Sequence, residues 1–122
     1  MNKIAFIFSQ APYGNNSGQE GLDTIISISS FHEDIALFFI GDGIFQIIAK
    51  QKPEKILFPN YSISFSILNI CNINDYFICS DSLKRLGLKN FDKKKYWTVP
   101  IKIIDSLFWK KKLNNYDKIL HF

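Results

Sequence analysis

Ile35-Ala36-Leu37-Phe38-Phe39-Ile40-Gly41-Asp42-Gly43 runs through six unbroken apolar residues and stops on a glycine-acid-glycine turn. A strand with one wet face alternates apolar and polar residues. A run with no polar member belongs to a strand covered on both faces, as in a parallel sheet held between helical layers. Ile4 to Phe8 and Tyr76-Phe77-Ile78-Cys79 read the same way.

Working outward, the segments between these runs carry helical signals. A helix is expected from Gln19 or Glu20, with Leu22, Ile25, Ile26 and Ser29 on one face and Glu20 and Asp23 where negative charge suits the helix dipole. A short helix is expected through Phe45 and Ile48, ahead of the polar turn Lys50-Gln51-Lys52-Pro53. Ser62 to Leu68 has an ambiguous period and is read as helix. Ser80 and Asp81 are expected N-caps of a helix running to about Leu86, with Gly87 as its stop. Tyr96 to Val99 reads as a short strand, and Lys118 to Phe122 as the last one. Pro100 is expected to open a helix with Ile101, Ile104, Leu107 and Phe108 on one stripe. Strands alternating with helices predict an α/β fold: one domain over residues 1–122, with a mostly parallel five-stranded sheet, helices on both faces and flavodoxin-like layering. Function in such sheets gathers at the carboxyl ends of strands, which singles out Ser9 to Gly18, Gly41 to Gly43 and Cys79 to Ser82.

Composition narrows the function classes. The formal charge of +4 rests almost wholly on lysine, with Arg85 the only arginine, and Ile, Asn and Phe are also abundant. That mixture points to A/T-rich codons rather than to phosphate or guanine readout, which favours arginine's planar fork. Twelve Phe, five Tyr and two Trp exceed what one small core is expected to hold, so some rings are expected in a partner interface. The chain lacks the roughly 20 consecutive apolar residues of a transmembrane span. Its first apolar run ends early in a Pro/Gly loop, so it is read as a buried strand of a cytoplasmic protein and not as a signal peptide.

The motifs exclude more than they assign. Gly14 and Gly18 stand too close for a P-loop, and Gln19-Glu20 occupies the place of its Lys-Ser/Thr pair. Gly41-Asp42-Gly43 begins like a dinucleotide fingerprint, but Gln46 stands at the third glycine position and Asp42 where a pyrophosphate would approach. No cofactor is expected. His32 and His121 are far apart, and Cys71 and Cys79 lack zinc-ligand spacing, so no metal is expected either. A Cys71–Cys79 disulfide does not suit a reducing cytosol.

Cys79 is the candidate catalytic residue. It closes a buried strand and precedes a helix, where free backbone N–H groups favour a thiolate or persulfide anion, although Asp81 opposes them from the same turn. Lys93-Lys94-Lys95 and Lys110-Lys111-Lys112, beside Tyr96-Trp97 and Trp109, leave an RNA-binding surface as an alternative. At about 100° per residue Trp109 falls opposite the 101/104/107/108 stripe, which makes it a candidate partner-interface anchor.

Three segments and the chain end together resemble the DsrE/DsrF-like family. They are Ser9-Gln10-Ala11-Pro12-Tyr13-Gly14 through Gly18-Gln19-Glu20-Gly21-Leu22-Asp23; Leu37-Phe38-Phe39-Ile40-Gly41-Asp42-Gly43-Ile44-Phe45-Gln46 with Gln51-Lys52-Pro53; Cys79 to Gly87-Leu88; and Asn115 to Phe122. The resemblance implies a subunit of a heterohexamer with TusB-like and TusD-like siblings. That assembly takes persulfide sulfur from a TusA-like carrier and passes it through a TusE-like one, toward 2-thiolation of the wobble uridine of certain tRNAs. In the family the sulfur-carrying cysteine belongs to the TusD-type subunit. Cys79 matches its place, eight residues before Gly87, but Ser80-Asp81-Ser82 replaces the small apolar residues that follow it there. A non-catalytic supporting subunit without direct tRNA contact is therefore expected, with direct persulfide carriage on Cys79 as the alternative.

Overall fold

The unbroken apolar runs are the inner strands of the computed structural model, which describes residues 3–11, 16–31, 34–48, 65, 68, 71, 73–87 and 97–122. Strands β1 (Lys3–Phe8), β2 (Asp34–Phe39), β3 (Asp75–Cys79), β4 (Lys102–Ile104) and β5 (Lys118–His121) form one five-stranded sheet. Its order is β4-β3-β2-β1-β5, and every pairing is parallel. The fold is α/β, as expected.

Alternate residues of each inner strand enter two separate cores. Ile4, Phe6 and Phe8 of β1, Ile35, Leu37 and Phe39 of β2, and Tyr76 and Ile78 of β3 pack to one side. Leu22 and Ile25 of α1 (Ser17–Ser29), Ile44 and Ile47 of a 3-10 helix (Gly41–Ile47), and Leu83 of α2 (Ser80–Arg85) cover them. Ala5, Ile7, Ala36, Phe38, Phe77 and Cys79 point to the other side, where Trp109 and Leu113 of α3 (Ser106–Leu113) lie over them. Right-handed crossovers account for this division. The chain steps from β1 to β4 in one direction with its helices on one face, and α3 must lie on the opposite face as the chain returns across the sheet to β5.

Gly43 sits where an added Cβ would collide with the Phe8 carbonyl, so the 3-10 helix can lie against the end of β1 only with glycine there. Ser30 directly follows α1, and Gly87, at φ +73°, ends the turn after α2.

Three sequence expectations change. Lys102–Ile104 is a strand and not the start of a helix opened by Pro100; it pairs with β3 through Phe77–Lys102, Ile78–Ile103 and Cys79–Ile104. Ladder bonds to a formed sheet outweigh a local helical period in so short a stretch. The helix begins at Ser106, where Asp105 Oδ1 accepts the Phe108 N–H at 2.8 Å. The N-cap of α2 is Cys79 rather than Ser80 or Asp81. Trp97 makes an isolated antiparallel bridge to Ile48 in place of a full strand.

Most described rings are also absorbed inside the chain. Phe8 stacks on Phe39 at 5.2 Å and Phe38 on Phe77 at 5.0 Å, because level positions on neighbouring parallel strands set rings side by side. Among the described aromatic rings only Phe31 and Phe108 stand largely in solvent. The described rings by themselves therefore do not call for a partner. Most of the helix expected over Ser62 to Leu68 lies outside the described residues, although Phe65 and Leu68 are buried.

Candidate functional site

Two of the three loops singled out by the sequence meet at the carboxyl end of the sheet, together with the described part of the third. Ile40 N–H donates to the Phe8 carbonyl at 3.1 Å, drawing the Gly41 turn beside β1. Gly41 N–H donates to Ser82 Oγ at 2.8 Å, so the buried Ser82 ties α2 to that turn. Gln46 Nε2 donates to the Gln10 carbonyl at 2.9 Å, and Gln46 is wholly buried. Residues 12–15 of the first loop lie outside the described set.

Gln46 and Ser82 were missed as organising residues. Gln46 had counted only as a failed third glycine and Ser82 only as a departure from a motif. For Gln46, a polar residue among Ile44, Phe45, Ile47 and Ile48 was the available signal, since a buried polar group needs a partner; Ser82, after Ser80 and Asp81, carried none. Gly18 leaves room for the Gln46 amide, which a Cβ at that position would strike. Gly41-Asp42-Gly43 is a packing turn against β1, with Gly41 at φ +56°.

On the α3 face, a cavity of about 460 Å³ opens beneath the helix. Its floor is Ile7, Ser9, Ile40 and Cys79, its roof is Ser106, Trp109, Lys110 and Leu113, and His121 of β5 lines one side. The parallel register explains this grouping. Phe8, Phe39 and Ile78 are level across β1, β2 and β3, so the next residues, Ser9, Ile40 and Cys79, are level too and face the α3 side. The roof residues recur at intervals of three and four, which is one face of a helix.

Cys79 is 4% exposed and lines this cavity. Its thiol takes no cap hydrogen bond from the first turn of α2. The sequence reading had placed the sulfur among those N–H groups; the side chain instead turns across the sheet, because the strand's alternation sends residue 79 to the face of Phe77. Cys71 packs against the opposite core, so the two thiols lie on different faces of the sheet and are both free.

Trp109 is placed differently from the sequence reading. It is 7% exposed and meets Phe38 edge-to-face at 5.1 Å, within the core of this single chain. Once Lys102–Ile104 is a strand, the helical phase begins at Ser106, and the stripe that had set Trp109 outward no longer exists. Leu107 and Phe108, expected inside, are 65% and 51% exposed. His121, considered earlier only as a metal ligand, joins the cavity because β5 lies next to β1. His32 lies outside the described residues, as do Lys93 to Lys95 and Tyr96. Among the described residues no cluster of three or more His, Cys, Asp or Glu is arranged to hold a metal. No helix among them is long and apolar enough to cross a membrane.

Known proteins share both sequence and fold with this chain. Protein TusC of Buchnera aphidicola subsp. Acyrthosiphon pisum (strain Tuc7) is 48% identical over 122 residues, covering all of both chains. Protein TusC of Buchnera aphidicola subsp. Baizongia pistaciae (strain Bp) is 45% identical over the same full lengths. The crystal structure of the ychN protein from E. coli superposes with a TM-score of 0.80 over 100% of both chains; at 22% identity it speaks for the fold alone. Residues 2–122 match the DsrE/DsrF-like family, and the chain belongs to it.

Proposed function

We propose that this protein is a supporting subunit of a cytoplasmic sulfur-relay complex, assembled with TusB-like and TusD-like siblings. The complex hands persulfide sulfur from a TusA-like carrier through a TusE-like one, toward 2-thiolation of the tRNA wobble uridine. The observation that carries this reading is the 45–48% identity to TusC proteins over the whole of both chains. A supporting role accords with a Cys79 that is almost wholly buried and makes no cap hydrogen bond to α2.

A second reading, direct sulfur carriage, draws on one observation: Cys79 lines a cavity together with Lys110 and His121. In that case the Cys79 thiolate attacks the outer sulfur of a carrier persulfide. A new S–S bond forms at Cys79 as the carrier's S–S bond breaks, and the carrier leaves as a thiolate, with no external oxidant.

Co-expression with the sibling chains, followed by sizing and measurement of thiolated tRNA, tests both. The supporting role predicts a stoichiometric complex and near-normal thiolation with Cys79→Ser. Loss of thiolation in that variant, with the complex intact and a sulfur adduct of one atom on wild-type Cys79, would establish the carrier reading instead. A wild-type chain that enters no complex would sink both.

A further inference from the structure

Helix α3 brings three features together on one surface. Beneath it lies the cavity, walled largely by Ile7, Ile40, Trp109 and Leu113, with a volume of about 460 Å³. Pockets of roughly 300–1,000 Å³ hold small ligands, so this one has room for a large apolar side chain. On its outer flank Leu107 and Phe108 are exposed. At about 100° per residue the exposed Lys110 lies between the cavity side and Leu107, and the exposed Lys111 between Leu107 and Phe108; among the described residues the ion pair present is Lys102 with Asp75 at 3.4 Å, elsewhere on the sheet. Asp105, the nearest acid along the chain, has its carboxylate engaged as the helix cap. Lys112 lies over the Phe77 ring at 5.2 Å and so is already occupied.

We propose that this surface docks a carboxylate-bearing segment of a partner protein. An apolar side chain of that segment enters the cavity, and its acids meet Lys110 and Lys111. The proposal rests on reading the chain as a subunit of a larger assembly. An apolar centre with a charged rim is the usual anatomy of a protein interface, and the unmatched positive charge selects an acidic partner. RNA fits the surface less well. Its cations are lysines, without the planar arginine fork that favours phosphate.

The test uses the full chain co-expressed with its sibling subunits. Zero-length carbodiimide cross-linking of the purified complex is expected to join Lys110 or Lys111 to an Asp or Glu of a partner chain. The double substitution Lys110→Glu, Lys111→Glu is expected to lower partner recovery by about tenfold or more. Changing the cross-linked partner acid to lysine should restore it. Ser106→Phe, which narrows the cavity and leaves the charges in place, should also lower recovery. If both variants recover wild-type amounts of partner and the cross-links map elsewhere, the docking surface is wrong while the subunit reading stands. A wild-type chain that recovers no sibling overturns both. Nuclease-sensitive loss of bound tRNA in the charge-reversed variant, with partner recovery unchanged, makes this an RNA surface and overturns the proposal.

Discussion

Trp109 shows how much a single side chain depends on where its helix starts. Its indole closes the second core against Phe38, which also stacks on Phe77 and meets Tyr116 edge-to-face at 5.7 Å. Removing the ring leaves a void that so few residues cannot refill. Trp109→Ala is expected to destabilise the isolated chain by about 3–5 kcal/mol, read by urea denaturation. A pure interface anchor would leave that curve unchanged and weaken assembly only. Tyr116 offers a pH handle on the same core. Burial first, then the charges of Asp75 and Asp34, push its pKa from the ordinary 10.0 up to about 12. The folded state therefore holds this proton more tightly than the unfolded chain does. Its contribution is intact below pH 10 and is lost as pH rises from about 10 to 12. Tyr116→Phe should flatten that part of the stability profile; an unchanged alkaline slope in the variant would refute the assignment. Residue-level placement was only partly legible in the sequence. The burial of Phe38 follows from the unbroken run that contains it, whereas the burial of Trp109 depends on an element boundary.

Helix α3 is short, and two local devices hold the elements around the cavity. Asp105 caps α3 through the Phe108 N–H, and Asp105→Ala is expected to cost about 0.5–2 kcal/mol. Hydrogen exchange should show the Phe108 and Trp109 amides, both bonded to Asp105, losing protection before the strands do. Equal protection in variant and wild type would mean that packing alone holds the helix. On the opposite face of the sheet, Ser82 Oγ accepts the Gly41 N–H. Ser82→Ala leaves that donor without its partner, at an expected cost of about 1–3 kcal/mol in thermal or urea unfolding. Ser82→Thr, which keeps the hydroxyl, should recover part of it. The α2 segment could be read from its Gly87 stop. The role of Ser82 could not, because its partner lies 41 residues away.

Taken whole, the molecule is asymmetric about its sheet. One face carries α1, the 3-10 helix and α2, while the other is roofed by α3 alone among the described elements, with Leu107 and Phe108 left exposed. Changing both to aspartate is expected to leave the melting temperature of the isolated chain nearly unchanged while lowering recovery of sibling subunits on co-purification. A large drop in melting temperature would place those side chains in a core instead. The parallel α/β architecture and the buried strands were present in the residues alone, because a strand covered on both faces must be apolar at every position, and no folded context is needed to see it. Which residues share a cavity was not. Ile7, Cys79, Lys110 and His121 meet because β5 lies beside β1 and α3 crosses the sheet on the far face. The phase of α3 was equally hidden. Ladder bonds to β3 claim Lys102–Ile104 before any helical period there can act, and a sequence carries no local mark of a neighbour that folding alone supplies.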